Sequence, residues 1–225
     1  MKVSVIIPAY NEEDYIADTI KGVKELPGVK QIIVVDDGSN DRTAVEAEKT
    51  GAKVISHFKN MGKGEALSTG SKATDGDIIV FLDGDIGDSS KEVQKLINPI
   101  LRGEADMTIA RFPPTGRKDG FGIAKVIATT GIYLLEGKRF NSPLSGQRAF
   151  SRRVLENLKG FASGYGAEVA MTLDVLDQGF RVMEVPVNMT HRGKGRNLKG
   201  FLHRGKQLVS ILKVFLKKCI ERRYI

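Results

Sequence analysis

Two carboxylates one residue apart, Asp83 and Asp85, close the apolar run Asp77-Ile78-Ile79-Val80-Phe81-Leu82. Such a run reads as a buried strand, and the carboxyl end of a buried parallel strand opens onto a ligand crevice. Hard carboxylate oxygens there suit Mg2+ or Mn2+, and an ion held by one or two carboxylates keeps coordination positions for substrate phosphates. Taken alone, Asp-Gly-Asp is more often a solvated turn. Two further apolar runs, however, also end in polar stretches, PAYNEE at 8–13 and DDGSND at 36–41. A carboxylate at the second could accept from a base N–H or a ribose hydroxyl, Tyr10 could offer an aromatic wall, and the ion could clamp a diphosphate. Each stretch has a plainer use, since Asp-Gly-Ser suits a turn and Asn-Glu-Glu a helix start. Their joint occurrence at successive strand ends favours a nucleotide pocket.

The elements that must position these residues are legible as an alternation. Lys2 to Pro8, Gln31 to Asp36, Lys53 to Ser56, Asp77 to Leu82 and Asp106 to Ala110 read as short strands rich in Val and Ile. Glu12 to Glu25, Asp41 to Thr50, Gly62 to Thr74 and Ser90 to Arg102 carry helical spacing, with Asn11, Asn40 and Ser89 suited to capping. Strand-helix alternation predicts an α/β fold: a mostly parallel central sheet flanked by helices, with the polar ends along one edge. Residues 111–122, with two Pro and three Gly, read as a long loop over the site. Helices at Ile123 to Glu136 and Val169 to Asp177 and strands at Gln147 to Ser151 and Arg181 to Val187 follow. One continuous catalytic unit is expected over 1–200, with a nucleotide-binding half at 1–110 and an acceptor half at 111–200, followed by a basic helix at 201–225.

The 225 residues, 41% hydrophobic, suffice for one substantial core. Cys219 is the single cysteine, which excludes an intrachain disulfide and a thiolate metal cluster and points to a reducing cytoplasm. The first apolar run is too short for a signal peptide and leads directly into a polar motif. No stretch approaches the ~20 apolar residues needed to span a bilayer. The net charge of +8 is concentrated: residues 191–225 hold six Lys and five Arg against one Glu, a net of +10, which leaves −2 elsewhere. That distribution argues against a nucleic-acid-binding face and for phosphates or an anionic membrane surface as partners.

The ordered series PAYNEE (8–13), VVDDGSNDRT (34–43), MGKGEALSTG (61–70) and FLDGD (81–85) resembles family 2 glycosyltransferases with the A-type glycosyltransferase fold. Gly164-Tyr165-Gly166-Ala167-Glu168, then Val185-Pro186 and His191-Arg192, is similar to glucosyl-3-phosphoglycerate synthases; Ser145-Gly146-Gln147-Arg148-Ala149-Phe150 is similar to a segment of dolichyl- and polyprenyl-phosphate sugar synthases. The resemblance implies that Pro8, Ala9, Tyr10, Glu12 and Asp37 line the nucleoside pocket and that Lys63 reaches the donor phosphates. It also implies that Asp83 sits near ribose or sugar, Asp85 on the metal, and His191 as a third ligand. A neutral imidazole is chemically suited to that place.

Glu168 opens a helix after a glycine-bearing turn and is the expected catalytic carboxylate on the acceptor side, with Asp85 and Lys63 as its catalytic partners. An acid at a helix start is also ordinary dipole chemistry. Arg111, Ser145, Gly146, Arg148, Tyr165 and Arg192 are the expected acceptor contacts, with Arg148 the strongest cation and Arg117, Lys118, Lys194 and Arg196 in mobile basic company. In residues 205–223, Leu208, Ile211, Leu212, Phe215 and Cys219 share one helical face. That face is expected to pack on the core or on a second subunit in a homodimer, with the inner face of an anionic membrane as the alternative.

The resulting expectation is a metal-dependent hexosyltransferase, with UDP-glucose as favoured donor and a phosphate-bearing acceptor such as phosphoglycerate. The alternatives are a peripheral-membrane polyprenyl-phosphate glycosyltransferase, glucosyl or mannosyl, and a non-catalytic nucleotide-sugar-binding module, since a fold alone does not establish activity. A nucleotidyltransferase is disfavoured, because the first strand lacks a glycine-rich activating loop.

Overall fold

The computed structural model describes residues 1–113, 122–158, 160–161, 166–190 and 198–223, with backbone only for 198–207 and 222–223. Arg117, Lys118, Tyr165, His191, Arg192, Lys194 and Arg196 lie outside the described residues. One seven-stranded sheet organises the chain, built from β1 (Val3–Ala9), β2 (Val29–Asp36), β3 (Lys53–Ser56), β4 (Ile78–Phe81), β5 (Met107–Arg111), β6 (Arg148–Ser151) and β7 (Val182–Pro186). Their order is β3-β2-β1-β4-β6-β5-β7. All neighbours are parallel except β6, which runs antiparallel to both β4 and β5.

Alternate residues of each strand feed opposite layers, as the two-residue period of a pleated strand requires. Val5, Ile7 and Val80 join Ile16 and Ile20 of α1 (Ile16–Lys24) and Leu96 and Ile97 of α4 (Val93–Leu101) in one layer. Ile6, Ile79 and Phe81 join Ala66 and Leu67 of α3 (Lys63–Lys72), Ala128 of α5 (Gly122–Glu136) and Leu173 of α7 (Ala167–Asp177) in the other. Each buried Val, Leu, Ile or Phe among these contributes ~1.5–3 kcal/mol by leaving water. These two layers make the sheet rigid up to the ends that carry the polar loops.

The expected caps serve a different purpose. α1 and α2 (Thr43–Lys49) begin without a side-chain cap, while Asn11 and the 39–40 turn bind one another: Asn11 N–H donates to Ser39 Oγ at 2.9 Å and Asn40 N–H to Asn11 Oδ1 at 2.9 Å. The polar side chains therefore stitch the first two strand-end loops together. Ser89 lies within a 3-10 helix (Gly87–Glu92) and not at the start of α4. A short helix absent from the sequence expectation, α6 (Arg152–Asn157), is capped by Ser151.

The final helix, α8 (Leu198–Arg223), begins three residues before the expected 201–225 and packs on α5 and α7. Ile211 is fully buried, and Val214 and Phe215 cover the second layer. Lys218, which is not among the residues of the expected face, is buried with Nζ 2.5 Å from Asp174 Oδ1 and 2.7 Å from Asp177 Oδ2, and burial alone would depress its pKa but the two carboxylates raise it. Leu212 and Cys219, expected on the packing face, are exposed. The ion pair thus rotates the buried face away from the one that hydrophobicity alone selects. Among the described residues no helix is long and apolar enough to cross a membrane.

Candidate active site

Asp83 and Asp85 follow β4 at the carboxyl edge of the parallel strands, half-buried. Thr19, inside α1, holds their loop in place: its hydroxyl donates to Gly84 O at 2.8 Å and accepts from Gly87 N–H at 2.8 Å. A methyl group on Gly84 would lie 3.4 Å from Glu12 Cγ and 3.6 Å from Ala9 Cβ, so the Asp-Gly-Asp turn rests directly on the PAYNEE loop. Glu12 is held through its N–H, which donates to Thr43 Oγ1 at 2.8 Å. Tyr10 is exposed and Pro8 half-buried at the same edge.

Lys63, the first residue of α3, is the centre of the arrangement. Its Nζ lies 2.6 Å from Asp83 Oδ1 and 3.5 Å from Glu168 Oε1. Desolvation lowers the pKa of this amine, but the charges of Asp83 and Glu168 more than restore it, and the ammonium is held well above the ordinary lysine range. Asp83 Oδ2 accepts from Gln147 Nε2 at 2.6 Å. A Cβ on Gly146 would lie 2.5 Å from Lys63 Nζ and 3.0 Å from Asp83 Oδ2, so only glycine leaves room for this contact. Residues from four separate stretches of chain, 63, 83, 146–147 and 168, therefore converge.

The donor chemistry fits a hard divalent cation. Two carboxylates project from a turn fixed by Thr19, and among the described residues no group of three or more His, Cys, Asp or Glu gathers to enclose an ion. Two carboxylate ligands with the remaining positions left to phosphates is the pattern Mg2+ prefers. Asp83 accepts from Lys63 and from Gln147.

Two expected contacts face elsewhere. Asp37 is buried and accepts from Met61 N–H at 2.9 Å and Gly62 N–H at 2.7 Å, with His57 Nδ1 2.7 Å from the same carboxylate. It fixes the loop that delivers Lys63. Arg148 is 1% exposed; it donates to Ser145 O at 2.9 Å, Pro143 O at 3.1 Å and Thr172 Oγ1 at 2.9 Å. Burial pushes this guanidinium down to about 10 against the opposing pull of Glu168 and Glu184. It braces the 143–145 turn from below and does not present a fork to an acceptor. Arg111 remains exposed at the end of β5, and Ser145 is buried, its hydroxyl 3.2 Å from Gln147 Oε1.

Gln147, Thr19 and His57 are the positioning residues that sequence reasoning missed. Gln147 had a signal, since it sits inside the Ser145 to Phe150 segment already singled out. Thr19 and His57 had none, because their partners lie 65 and 20 residues away.

Residues 4–158 match the model of glycosyl transferase family 2. The chain is 34% identical over 196 residues to the glucosyl-3-phosphoglycerate synthase of Mycolicibacterium smegmatis (78% of this chain, 64% of the relative). It is 30% identical over 213 residues to the dolichol-phosphate mannosyltransferase of Pyrococcus furiosus (89% of this chain, 60% of the relative). It thus spans about three fifths of the length of these two relatives. An uncharacterized protein of Methanocaldococcus jannaschii is 31% identical over 231 residues, 98% of this chain and 92% of that one. Among solved structures, the Mycobacterium tuberculosis glucosyl-3-phosphoglycerate synthase in complex with phosphoglyceric acid superposes with a TM-score of 0.80 at 31% identity, covering 95% of this chain and 79% of that one. The same synthase in complex with Mn2+, UDP-glucose and phosphoglyceric acid gives 0.78 at 30% identity, with the same coverage. The sheet with its reversed β6, the Asp-Gly-Asp turn and the matched segment agree, and the chain belongs to glycosyl transferase family 2.

Proposed function

We propose that this chain transfers a hexosyl group from a nucleoside-diphosphate sugar to a phosphate-bearing acceptor, with UDP-glucose as donor and a phosphoglycerate-like acceptor. The observation that carries the reading is Lys63 Nζ placed between Asp83 and Glu168, 2.6 and 3.5 Å away, beneath the missing side chain of Gly146. In the reaction the bond from the anomeric carbon to the diphosphate oxygen breaks, and an acceptor oxygen takes its place. Negative charge grows on the departing diphosphate, and a preorganised ammonium at that point stabilises the transition state more than the ground state. Lys63 supplies it, already charged because its neighbours hold its proton.

Mg2+ or Mn2+, held by Asp85 with Asp83 beside it and His191 as a third ligand, would neutralise the same diphosphate. Pro8, Ala9, Tyr10 and Glu12 border the nucleoside end of the crevice. Asp83, anchored by Gln147, faces the sugar end. Glu168 stands on the acceptor side, where it accepts a hydrogen bond from the incoming group once Lys63 turns to the phosphates. Arg111, at the exposed end of β5, with Tyr165 and Arg192, would hold the acceptor's phosphate. The resemblance to synthases solved with UDP-glucose and phosphoglyceric acid supports these substrate classes.

Calorimetric titration with UDP in the presence of Mn2+ tests the site. Asp85→Ala should weaken metal-dependent binding by at least about tenfold, the scale of one lost charge-assisted contact. Unchanged affinity would remove the assignment. Turnover of UDP-glucose with 3-phosphoglycerate, against a short polyprenyl phosphate, then reads the acceptor class.

A further inference from the structure

We propose that α5 and α8 together form a docking surface for an anionic lipid bilayer. The inner sides of both helices are accounted for: Ala124, Ala128 and Ile132 of α5 and Ile211 of α8 are buried, and Gly131 leaves no room beneath the ring of Phe215. Their outer sides are apolar as well. Ile123, Val126 and Leu134 of α5 and Leu212, Leu216 and Ile220 of α8 are exposed, Leu134 by 76% and Leu216 by 68%. Surface apolar residues scattered singly need no explanation. Six large ones on the outward faces of two helices in contact do, because helices that only cover a core carry polar residues there.

The charge around this ridge selects the occupant. Lys125 of α5 and Lys213 and Lys217 of α8 are exposed beside these apolar residues. An apolar stripe edged by lysines is the pattern of a helix lying in the headgroup region of an anionic membrane. A second copy seated on the same face would set these lysines against their own counterparts, and like charges oppose association. The core side of α8 meets the turn before Glu168, since a methyl group on Gly166 would lie 2.9 Å from Val214 Cγ2, so the ridge is the face of α8 turned away from that contact. The proposal goes beyond glycosyl transfer and does not depend on which acceptor is used.

The test is sedimentation of the full chain with extruded vesicles of phosphatidylcholine alone and of phosphatidylcholine with about one third phosphatidylglycerol, at low and at moderate salt. The wild type should sediment with the anionic vesicles and stay in solution with the neutral ones. Leu134→Glu/Leu216→Glu, both at exposed positions, should bind the anionic vesicles at least about tenfold more weakly while keeping its melting temperature and UDP affinity. Three results would overturn the proposal. The wild type could fail to sediment with anionic vesicles, or the double variant could bind as the wild type does, which would leave charge alone as the attraction. The third is a dimer in solution that the double variant dissolves, which would make a second copy the occupant. UDP affinity, measured on the same samples, reports the donor site separately.

Discussion

Gly146→Ala offers the sharpest test of the site, because its effect can be worked from three distances. The added Cβ would stand 2.5 Å from Lys63 Nζ and 3.0 and 3.2 Å from the two oxygens of Asp83. Non-bonded atoms settle near ~3.5 Å, so the ammonium must retreat by about 1 Å. That movement stretches the 2.6 Å ion pair with Asp83 to a separation at which charge-assisted hydrogen bonding fails. A displacement of about 1 Å at a reacting centre costs ~10²-fold in rate, or about 2.7 kcal/mol of transition-state stabilisation. The fold should not suffer. Gly146 is not among the residues with positive φ, so alanine is allowed there, and a compatible Gly→Ala change is neutral to stabilising by ~0.4–1 kcal/mol. The flexible end of a lysine is also what yields. The assay is kcat for sugar transfer beside a thermal melt, with Lys63→Met and the double variant completing a cycle. If the alanine acts through Lys63, the double variant is no slower than Lys63→Met. A kcat for Gly146→Ala within about twofold of wild type, with the melt unchanged, would refute the packing argument and with it the central role given to Lys63.

Three further expectations follow from the groups that support the site. Arg148→Lys should lower the melting temperature, since it strips ~1.5–3 kcal/mol per lost charged hydrogen bond from the 143–145 turn; an unchanged melt with a raised acceptor KM would restore the acceptor role. Asp37→Asn retains one acceptor oxygen for the Met61 and Gly62 N–H groups and should both destabilise the fold and weaken UDP binding through the start of α3. A change confined to base selectivity would instead make Asp37 a base-reading residue. Lys218→Met leaves Asp174 and Asp177 without their buried cation and should cost ~3–5 kcal/mol in denaturant unfolding. Because the folded pKa of Lys218 is raised, its contribution is complete below the unfolded value near ~10.4 and is lost as pH rises through the folded one. The wild type should therefore lose stability in strong alkali more steeply than the variant.

The parts of this molecule that were legible in the sequence are those governed by local pattern. β1, β2 and β4 announce themselves as Val- and Ile-rich runs, and their shared edge follows from the alternation with helices, which is why Asp83 could be named from pattern, whereas Lys63 rests on the family resemblance and Glu168 on the helix start after its glycine-bearing turn. The direction of β6 is different in kind. Arg148-Ala149-Phe150-Ser151 has the same composition whichever way it runs, and its reversal is set by partners 67 to 73 residues earlier. Side-chain direction was hidden for the same reason. Asp37 looked like a ligand and Arg148 like a phosphate fork because carboxylates and guanidiniums at strand ends serve either purpose; which one holds depends on the carbonyls and N–H groups that the fold brings alongside. Lys218 shows the limit for helices, since two acids on α7 outrank the hydrophobic spacing of α8 in choosing the buried face.

The place of β6 also bears on how the chain comes off the ribosome. Among the described residues β5 pairs in the sheet with β6 and β7 alone, and β4 pairs with β1 alone until β6 arrives. The first 110 residues therefore emerge with β4 as a bare inner edge and β5 unable to join it. Between Phe81 and its partner Arg148 lie enough residues to take roughly 3–13 s at ~5–20 residues per second. Through that interval the strand that carries the acidic turn is a template open to any other nascent chain. A truncation after β5 should for this reason yield aggregate and not a working nucleotide-binding half, and slow codons placed between the two strands should lower soluble yield without altering a single residue of the finished protein.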